Sequence, residues 1–200
     1  LRGKCNHCKA QISLQYPLVE TAMAILAGGL FYRFGIGFDF FAFFLFSAAL
    51  LVIIVIDIHH QIIPDVISLP GIILGFLFSL LSSYITWQSS LLGLVLGGGV
   101  LYTVAAVYFW IRKIDGMGGG DIKLLAMLGA WLGWQSLPFV IFFSSLTGVI
   151  AGVIAMKVQQ KGGQTKIPFG PFLSIAALIF LFFSDTILLY LQLYINGQWP

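Results

Sequence analysis

The sequence has 200 residues, of which 60% are hydrophobic and 8% are charged, whereas soluble domains carry about a quarter charged residues. This composition excludes an ordinary soluble domain and indicates an integral membrane protein. The length accommodates about seven spans of roughly 20 residues with short connections, and it leaves no room for a large soluble domain. The predicted fold class is therefore all-α, a polytopic membrane helical bundle with about seven transmembrane helices.

The first fifteen residues, 1–15, are the most polar part of the chain and contain both cysteines, Cys5 and Cys8. Two thiolates at this spacing supply half of a tetrahedral zinc site, which normally needs four ligands. His7 lies between the two cysteines, where it is poorly placed to act as a third ligand. A redox pair and two ordinary thiols are the alternatives. Because the chain begins with Leu1 and not with Met, we expect the other half of the site to lie upstream of this sequence.

Seven apolar runs follow in chain order, at residues 16–34, 38–58, 66–85, 90–110, 122–134, 137–156 and 168–194. The fifth run is short for a bilayer, so it is expected either to be shielded by its companions or to begin in a wet cavity. The last run is long, and Ser184 and Asp185 near its middle predict a tilt or a break.

Glycines recur four residues apart inside these runs, as Gly71 and Gly75, Gly93 and Gly97, Gly129 and Gly133, and Gly148 and Gly152. Small residues at this spacing form flat helix faces that let neighbouring backbones pack closely inside a membrane. The pattern predicts a compact bundle, without indicating an oligomeric state.

The basic residues predict the orientation of the chain in the bilayer. If the spans alternate, nine of the ten basic residues fall on one side and Arg33 alone falls on the other. This asymmetry places the N-terminus in the cytoplasm, a reducing compartment that favours metal binding or free thiols over a disulfide. The net charge of +3 is therefore explained by the orientation of the chain in the bilayer. No nucleic-acid partner is predicted, because the basic residues form no single patch.

A polar, glycine-rich stretch at residues 115–123 interrupts the apolar sequence and places Asp121 after three glycines. These glycines are expected to give the backbone conformations that other residues cannot adopt, and to allow a second backbone, such as an extended peptide, to approach closely. The alternative is a flexible loop in which Asp121 is the N-cap of the next helix.

Asp57 is predicted to lie on the same membrane face as Asp121, because two full crossings separate the two residues. Asp57 ends its apolar run, where the helix dipole opposes a negative charge, so a capping role explains it poorly. Asp65 follows Pro64 and is typical of a helix start. His59 and His60 are interpreted as interfacial polar residues.

Two carboxyl groups that face each other can share one proton. The ionised carboxylate can then take a proton from an attacking water while the protonated partner donates to a peptide carbonyl. The pattern is thus compatible with an aspartyl membrane protease and equally with a proton-coupled membrane transporter that uses the same acids. A noncatalytic scaffold assembled through the glycine faces is a third hypothesis.

Four sequence motifs resemble those of the type IV prepilin peptidases, the leader peptidase and N-methyltransferase family, in the family's order. They are Cys5-Asn6-His7-Cys8 with Tyr16-Pro17-Leu18, Asp57 with Ile63-Pro64-Asp65, Gly118-Gly119-Gly120-Asp121-Ile122-Lys123, and Pro168-Phe169-Gly170-Pro171. The resemblance covers essentially the whole chain. One GxGD motif alone would be weakly specific, whereas four motifs in order are highly specific.

The resemblance implies a bacterial inner-membrane aspartyl protease that removes the short basic leader of type IV prepilins or type II secretion pseudopilins at the cytoplasmic face. It assigns the catalytic roles to Asp57 and Asp121, and it makes Gly118 and Gly120 the glycines that shape the GxGD loop. Residues 16–200 then form the transmembrane peptidase domain, and residues 1–15 a partial zinc-type segment.

Cofactors also follow from the resemblance alone. Proteolysis is expected to need none, whereas the family uses S-adenosylmethionine to methylate the new N-terminal amine of its product and holds zinc in its cysteine segment. This sequence departs from the family in lacking the first span and the first cysteine pair. The expectation is therefore a half zinc site at Cys5 and Cys8, with methylation in doubt and the protease motifs complete.

Overall fold

The computed structural model describes residue 11 and residues 13–113, 118–159 and 168–197. Within these ranges the secondary structure consists of seven α-helices. They are α1 (Gln15–Phe34), α2 (Phe38–His60), α3 (Asp65–Leu81), α4 (Trp87–Arg112), α5 (Gly119–Leu132), α6 (Ser136–Gln159) and α7 (Gly170–Ile195). The all-α prediction is confirmed, and each helix lies within a few residues of its predicted apolar run.

Four helices in the described part of the chain are long and apolar enough to cross a membrane. They are Phe38–His60, Trp87–Arg112, Ser136–Lys157 and Gly170–Leu193. Helix α3 is a shorter apolar helix, and α5 has 14 residues. At 1.5 Å per residue α5 is about 21 Å long, less than the roughly 30 Å hydrocarbon core of a bilayer.

The chain divides into two compact units, Leu1–Leu51 and Val52–Pro200. The described part of the first unit contains α1 and most of α2, joined by a short turn at Gly35. This glycine has φ of 65°, a left-handed conformation that favours glycine, and its N–H donates to the Phe31 carbonyl at 2.9 Å. Across the turn, the rings of Phe34 in α1 and Phe43 in α2 pack with 4.8 Å between their centroids.

Helix α5 is the central element of the second unit, and it contacts α3, α4, α6 and α7. Every residue from Leu124 to Leu132 is buried. A helix that is apolar on all sides is stable only when other elements surround it. The prediction that neighbouring helices shield the short fifth run is therefore confirmed.

The closest packing in this unit is between α4 and α5. A Cβ on Gly93 would collide with the Gly129 carbonyl, and a Cβ on Gly97 would lie 2.5 Å from the Leu125 carbonyl oxygen. One turn earlier, the buried Ser90 Oγ donates to the Ala130 carbonyl at 2.7 Å. These glycines bring two backbones into direct contact, as the spacing predicts.

Helix α5 packs against α3 through Trp131. The indole Nε1–H donates to the Gly71 carbonyl at 2.8 Å, and the ring stacks on Phe78 with 5.2 Å between centroids. A Cβ on Gly75 would lie 2.5 Å from Trp131 Cδ1. Gly71 and Gly75 thus make room for side chains of α5, whereas a Cβ on Gly148 would meet only ordinary contacts, the nearest at 3.6 Å.

Helix α5 ends at Gly133, which has φ of 79° and could not easily be another residue. The chain then returns to the start of α4, where the Trp134 N–H donates to the Ser89 carbonyl at 3.2 Å. Helix α7 is kinked at Phe183, whose φ and ψ are −118° and 17°. The break predicted at Ser184 and Asp185 is confirmed within a residue.

Candidate active site

Asp57 lies in the last turn of α2, and only 4% of its surface is exposed. The helix ends just beyond it, because Gln61 adopts a left-handed conformation with φ of 55° and donates its N–H to the Asp57 carbonyl at 2.8 Å. A carboxylate at this end of a helix faces the negative pole of the helix dipole. Another group must therefore stabilise a negative charge here.

That group is the N-terminus of α7. The Gly170 N–H donates to Asp57 Oδ2 at 3.0 Å in a buried environment. Gly170 is the first residue of α7, and Pro171, which has no N–H to leave unsatisfied, fits the first turn of a helix. The positive pole of α7 thus offsets the negative pole of α2 at Asp57. The sequence motif contained Gly170, but its contact with Asp57 was not predicted.

Asp121 lies in the first turn of α5, not at its N-cap. The N-cap is Gly118, whose carbonyl accepts a hydrogen bond from the Asp121 N–H at 3.2 Å. The interpretation of Asp121 as an N-cap is therefore wrong. Its position in the first turn still favours a negative charge, because the N-terminal pole of the helix is positive.

The glycines before Asp121 do not act as predicted. Gly118 has φ of −69° and ψ of 136°, which any residue can adopt, and the helix begins at Gly119. Special backbone conformations are therefore not required at these described glycines. The close neighbour of Gly120 is a side chain of this chain, because a Cβ on Gly120 would lie 2.9 Å from Ile63 Cβ. The approach of an extended peptide to these glycines stays a prediction. A Cβ on Gly118 would meet only Asp121 Oδ2, at 3.8 Å.

The two carboxyl groups interact electrostatically. Asp121 lies at the start of α5, which is not one of the four helices long enough to cross a membrane. Burial, and to a smaller extent the Asp57 carboxylate, raises the pKa of Asp121 to about 6. A charge on one aspartate therefore disfavours a charge on the other. This coupling is the property that lets two carboxyl groups share one proton.

Ile63 contacts both Gly120, which precedes Asp121, and Gly170, which donates to Asp57. It lies in the link between α2 and α3, and its side chain occupies the space beside Gly120. On its other side, a Cβ on Gly170 would lie 3.2 Å from Ile63 Cδ1 and 2.7 Å from Asp57 Oδ2. Both glycines therefore lie against Ile63, and neither position accommodates a larger residue without movement.

A third acidic residue, Asp65, lies near the same end of the helices. Asp65 is the first residue of α3 after the N-cap Pro64, which confirms the predicted helix start. The Lys123 Nζ donates to both Asp65 carboxylate oxygens at 2.7 Å, with side chains that are 39% and 54% exposed for Lys123 and Asp65. This ion pair joins α3 to α5 at the surface, and the Asp65 carboxylate is therefore neutralised by Lys123.

The remaining predicted site residues have less structural support. Cys5, Cys8 and Asp115 lie outside the described residues. Among residue 11 and residues 13–113, 118–159 and 168–197, no group of three or more His, Cys, Asp and Glu side chains could hold a metal ion. The exposed His59 ring lies 2.7 Å from the Val55 carbonyl through Nδ1, as expected of a polar residue near a helix end.

Comparison with known proteins identifies relatives of this chain. Residues 44–153 match the type IV leader peptidase family, and residues 1–34 match the bacterial peptidase A24 N-terminal domain. The chain is 42% identical over 187 residues to a protein of Stutzerimonas stutzeri named prepilin leader peptidase/N-methyltransferase. It is 44% identical over 191 residues to a protein of that name from Pseudomonas aeruginosa.

Both alignments cover 94% of this chain, and they cover 65% and 64% of the two relatives. The chain thus spans slightly less than two thirds of the length of these curated relatives. No solved structure matches it. Because the family match includes Asp57, Asp121 and more than half of the sequence, the chain belongs to the type IV leader peptidase family.

Proposed function

We propose that this membrane protein is an aspartyl endopeptidase that removes the leader of type IV prepilins or type II secretion pseudopilins. The observation that carries the proposal is the electrostatic coupling of Asp57 and Asp121, two buried or partly buried carboxyl groups from separate helices in a chain of this family. The relatives are named prepilin leader peptidase/N-methyltransferase, which supports the same substrate class. A proton-coupled transporter gains no support from the comparisons.

The two aspartates have different roles in this proposal. Asp57 is the ionised member, because the Gly170 N–H donates to its carboxylate. Asp121 is the protonated member, because its pKa is raised to about 6 and, among the described residues, its carboxyl group has no hydrogen-bond donor. The assignment gives one base and one acid at neighbouring positions, as general acid–base catalysis requires.

The reaction then proceeds by attack of water on the scissile peptide carbonyl. The water oxygen bonds to the carbonyl carbon while Asp57 takes one proton from the water. Asp121 donates its proton to the carbonyl oxygen at the same time. When the tetrahedral intermediate collapses, the C–N bond breaks and Asp57 passes its proton to the leaving nitrogen. The hydroxyl proton returns to Asp121, so both carboxyl groups regain their starting states.

We place this reaction at the cytoplasmic face of the bacterial inner membrane, with a cytoplasmic N-terminus. The nine-to-one distribution of basic residues supports this orientation. Residues 16–200 are proposed to form the peptidase domain, and residues 1–15 a partial zinc-type segment. Gly118 and Gly120 are proposed to shape the backbone beside Asp121.

The proposal for the cofactors rests on the family and on the names of the relatives. N-methylation of the product would require S-adenosylmethionine as the methyl donor, and Cys5 and Cys8 would contribute two thiolates to a zinc site. Hydrolysis by two carboxyl groups requires neither cofactor. Proteolysis and methyl transfer can therefore be tested separately.

The proposal is tested by incubating the protein in lipid vesicles with a prepilin and following loss of the leader by gel electrophoresis and mass spectrometry. Asp57→Asn and Asp121→Asn should each abolish cleavage, because an amide keeps the size of the side chain but cannot exchange a proton. Asp65→Asn and Asp115→Asn are the matched controls and should retain cleavage. Full turnover by the Asp57→Asn protein would refute the mechanism, and solute or proton flux without cleavage would favour the transporter.

A further inference from the structure

The link between α2 and α3 contains one side chain that contacts the surroundings of both aspartates. Ile63 is half-buried, whereas its neighbour Ile62 is 59% exposed. On one side, a Cβ on Gly120 would lie 2.9 Å from Ile63 Cβ and 3.5 Å from Cγ1. On the other side, a Cβ on Gly170 would lie 3.2 Å from Ile63 Cδ1. The side chain therefore fills the space between the first turns of α5 and α7.

Each of these contacts lies beside one of the aspartates. Gly120 immediately precedes Asp121 in the chain, so a displacement of its backbone moves the Asp121 carboxyl. Gly170 donates the hydrogen bond that holds Asp57 Oδ2, so a displacement of its backbone moves the Asp57 carboxyl. The dimensions of the Ile63 side chain therefore determine how far apart these two supports are.

The link is also suited to hold this side chain in place. Isoleucine is branched at Cβ and has few side-chain conformations. Pro64 follows it as the N-cap of α3 and fixes the backbone at the start of that helix. On the other side, Gln61 ends α2 through its hydrogen bond to the Asp57 carbonyl. Ile63 thus acts as a spacer with both of its ends fixed.

We propose that Ile63 is a positioning residue that sets the separation of the Asp57 and Asp121 carboxyl groups by holding the first turns of α5 and α7 apart. The inference rests on the proposed peptidase function. It predicts that changes at Ile63 alter kcat with little change in KM, because they affect the arrangement of reacting groups and not the binding of the substrate.

The first measurement uses single substitutions and prepilin cleavage in vesicles. Ile63→Ala should lower kcat about tenfold with KM unchanged, because the aspartates are no longer held at a fixed separation. Ile62→Ala is the matched control on the exposed neighbour and should leave both constants unchanged. If Ile63→Ala cleaves like the wild-type protein, the positioning role is refuted.

The second measurement tests whether the contact between Gly120 and Ile63 is the one that controls kcat. Gly120→Ala should lower kcat about 100-fold, because its Cβ pushes against Ile63 and displaces Asp121. Ile63→Val deletes Cδ1, the atom that faces Gly170, and so lets the link move by the few tenths of an ångström that the alanine requires. The Gly120→Ala and Ile63→Val double variant should therefore recover at least about tenfold in kcat over Gly120→Ala alone.

Two further variants decide the interpretation of the rescue. Ile62→Val removes the same methyl from the neighbouring residue and should not rescue Gly120→Ala. Gly170→Ala should not be rescued by Ile63→Val, because its nearest clash is with Asp57 Oδ2 at 2.7 Å. Equal effects of Ile62→Val and Ile63→Val would refute the proposal. Failure of the wild-type protein to cleave prepilin would instead refute the proposed function.

Discussion

Gly97→Ala tests the contact between α4 and α5, on which the position of Asp121 depends. Three consecutive glycines, Gly97, Gly98 and Gly99, occupy different surroundings in the same helix. A Cβ on Gly97 would lie 2.5 Å from the Leu125 carbonyl oxygen, and one on Gly98 would lie 3.4 Å from the Ala126 Cβ. A Cβ on Gly99 would meet no atom within 4 Å. The three alanine variants therefore differ chiefly in how they affect the contact with α5.

The expected magnitude follows from these distances. Ordinary contacts of a Cβ begin near 3.4 Å, so Gly97→Ala forces the two backbones apart by about 0.9 Å. Overpacking of this kind costs roughly 1–3 kcal/mol. All three variants gain the same helix propensity, about 1 kcal/mol. The Gly97→Ala protein should therefore be about 1–3 kcal/mol less stable than the Gly99→Ala protein, with Gly98→Ala close to Gly99→Ala.

The free energy of unfolding can be measured by denaturant titration of each variant in mixed detergent micelles, and cleavage can be measured in vesicles. Gly97→Ala should also lower the rate of prepilin cleavage, because α5 carries Asp121. Equal stability and equal cleavage of the Gly97→Ala and Gly99→Ala proteins would show that the two backbones are not in contact there. The reasoning about the glycine faces would then be wrong.

Three other predictions concern the site and its surroundings. The mechanism requires protonated Asp121, whose pKa is raised to about 6, so the rate of cleavage should fall as the pH rises through this value. A constant rate between about pH 5 and 8 would contradict the assignment. Asp65→Asn should remove the ion pair with Lys123 at a cost of less than about 1 kcal/mol in denaturant titration, since exposed pairs contribute little. Replacing Cys5 and Cys8 by serine should leave leader removal intact, because hydrolysis by two carboxyl groups requires neither a thiol nor zinc. Loss of cleavage would show that this segment supports the protease.

The sequence predicts the helices well because each is a long apolar run bounded by polar residues. The helix bounds and the kink near Ser184 follow from this pattern. Counting crossings also places Asp57 and Asp121 on one face, and the structure shows their electrostatic interaction. These properties depend on composition and order along the chain, and both can be read without knowledge of tertiary contacts.

The surroundings of the aspartates could not be predicted in the same way. From the sequence, Gly120 is predicted to have an unusual backbone conformation. In the structure a glycine is needed there because Ile63, which is distant in sequence, leaves no space for a Cβ. The position of Asp121 within the first turn of α5 was also missed, because an aspartate favours several positions at a helix N-terminus. The hydrogen bond from Gly170 to Asp57 joins residues 113 positions apart, and no local pattern indicates such a pair.

The participation of α7 at Asp57 has a consequence for the biosynthesis of the protein. Gly170 is 113 residues beyond Asp57, and a ribosome adds about 5–20 residues per second, so roughly ten seconds separate the synthesis of the two residues. Between the addition of Asp121 and that of Gly170, both aspartates are in the nascent chain, but the amide that holds Asp57 has not yet been made. On the proposed mechanism, the nascent chain becomes active only after α7 is inserted, because the first residue of α7 supplies the N–H that holds the Asp57 carboxylate.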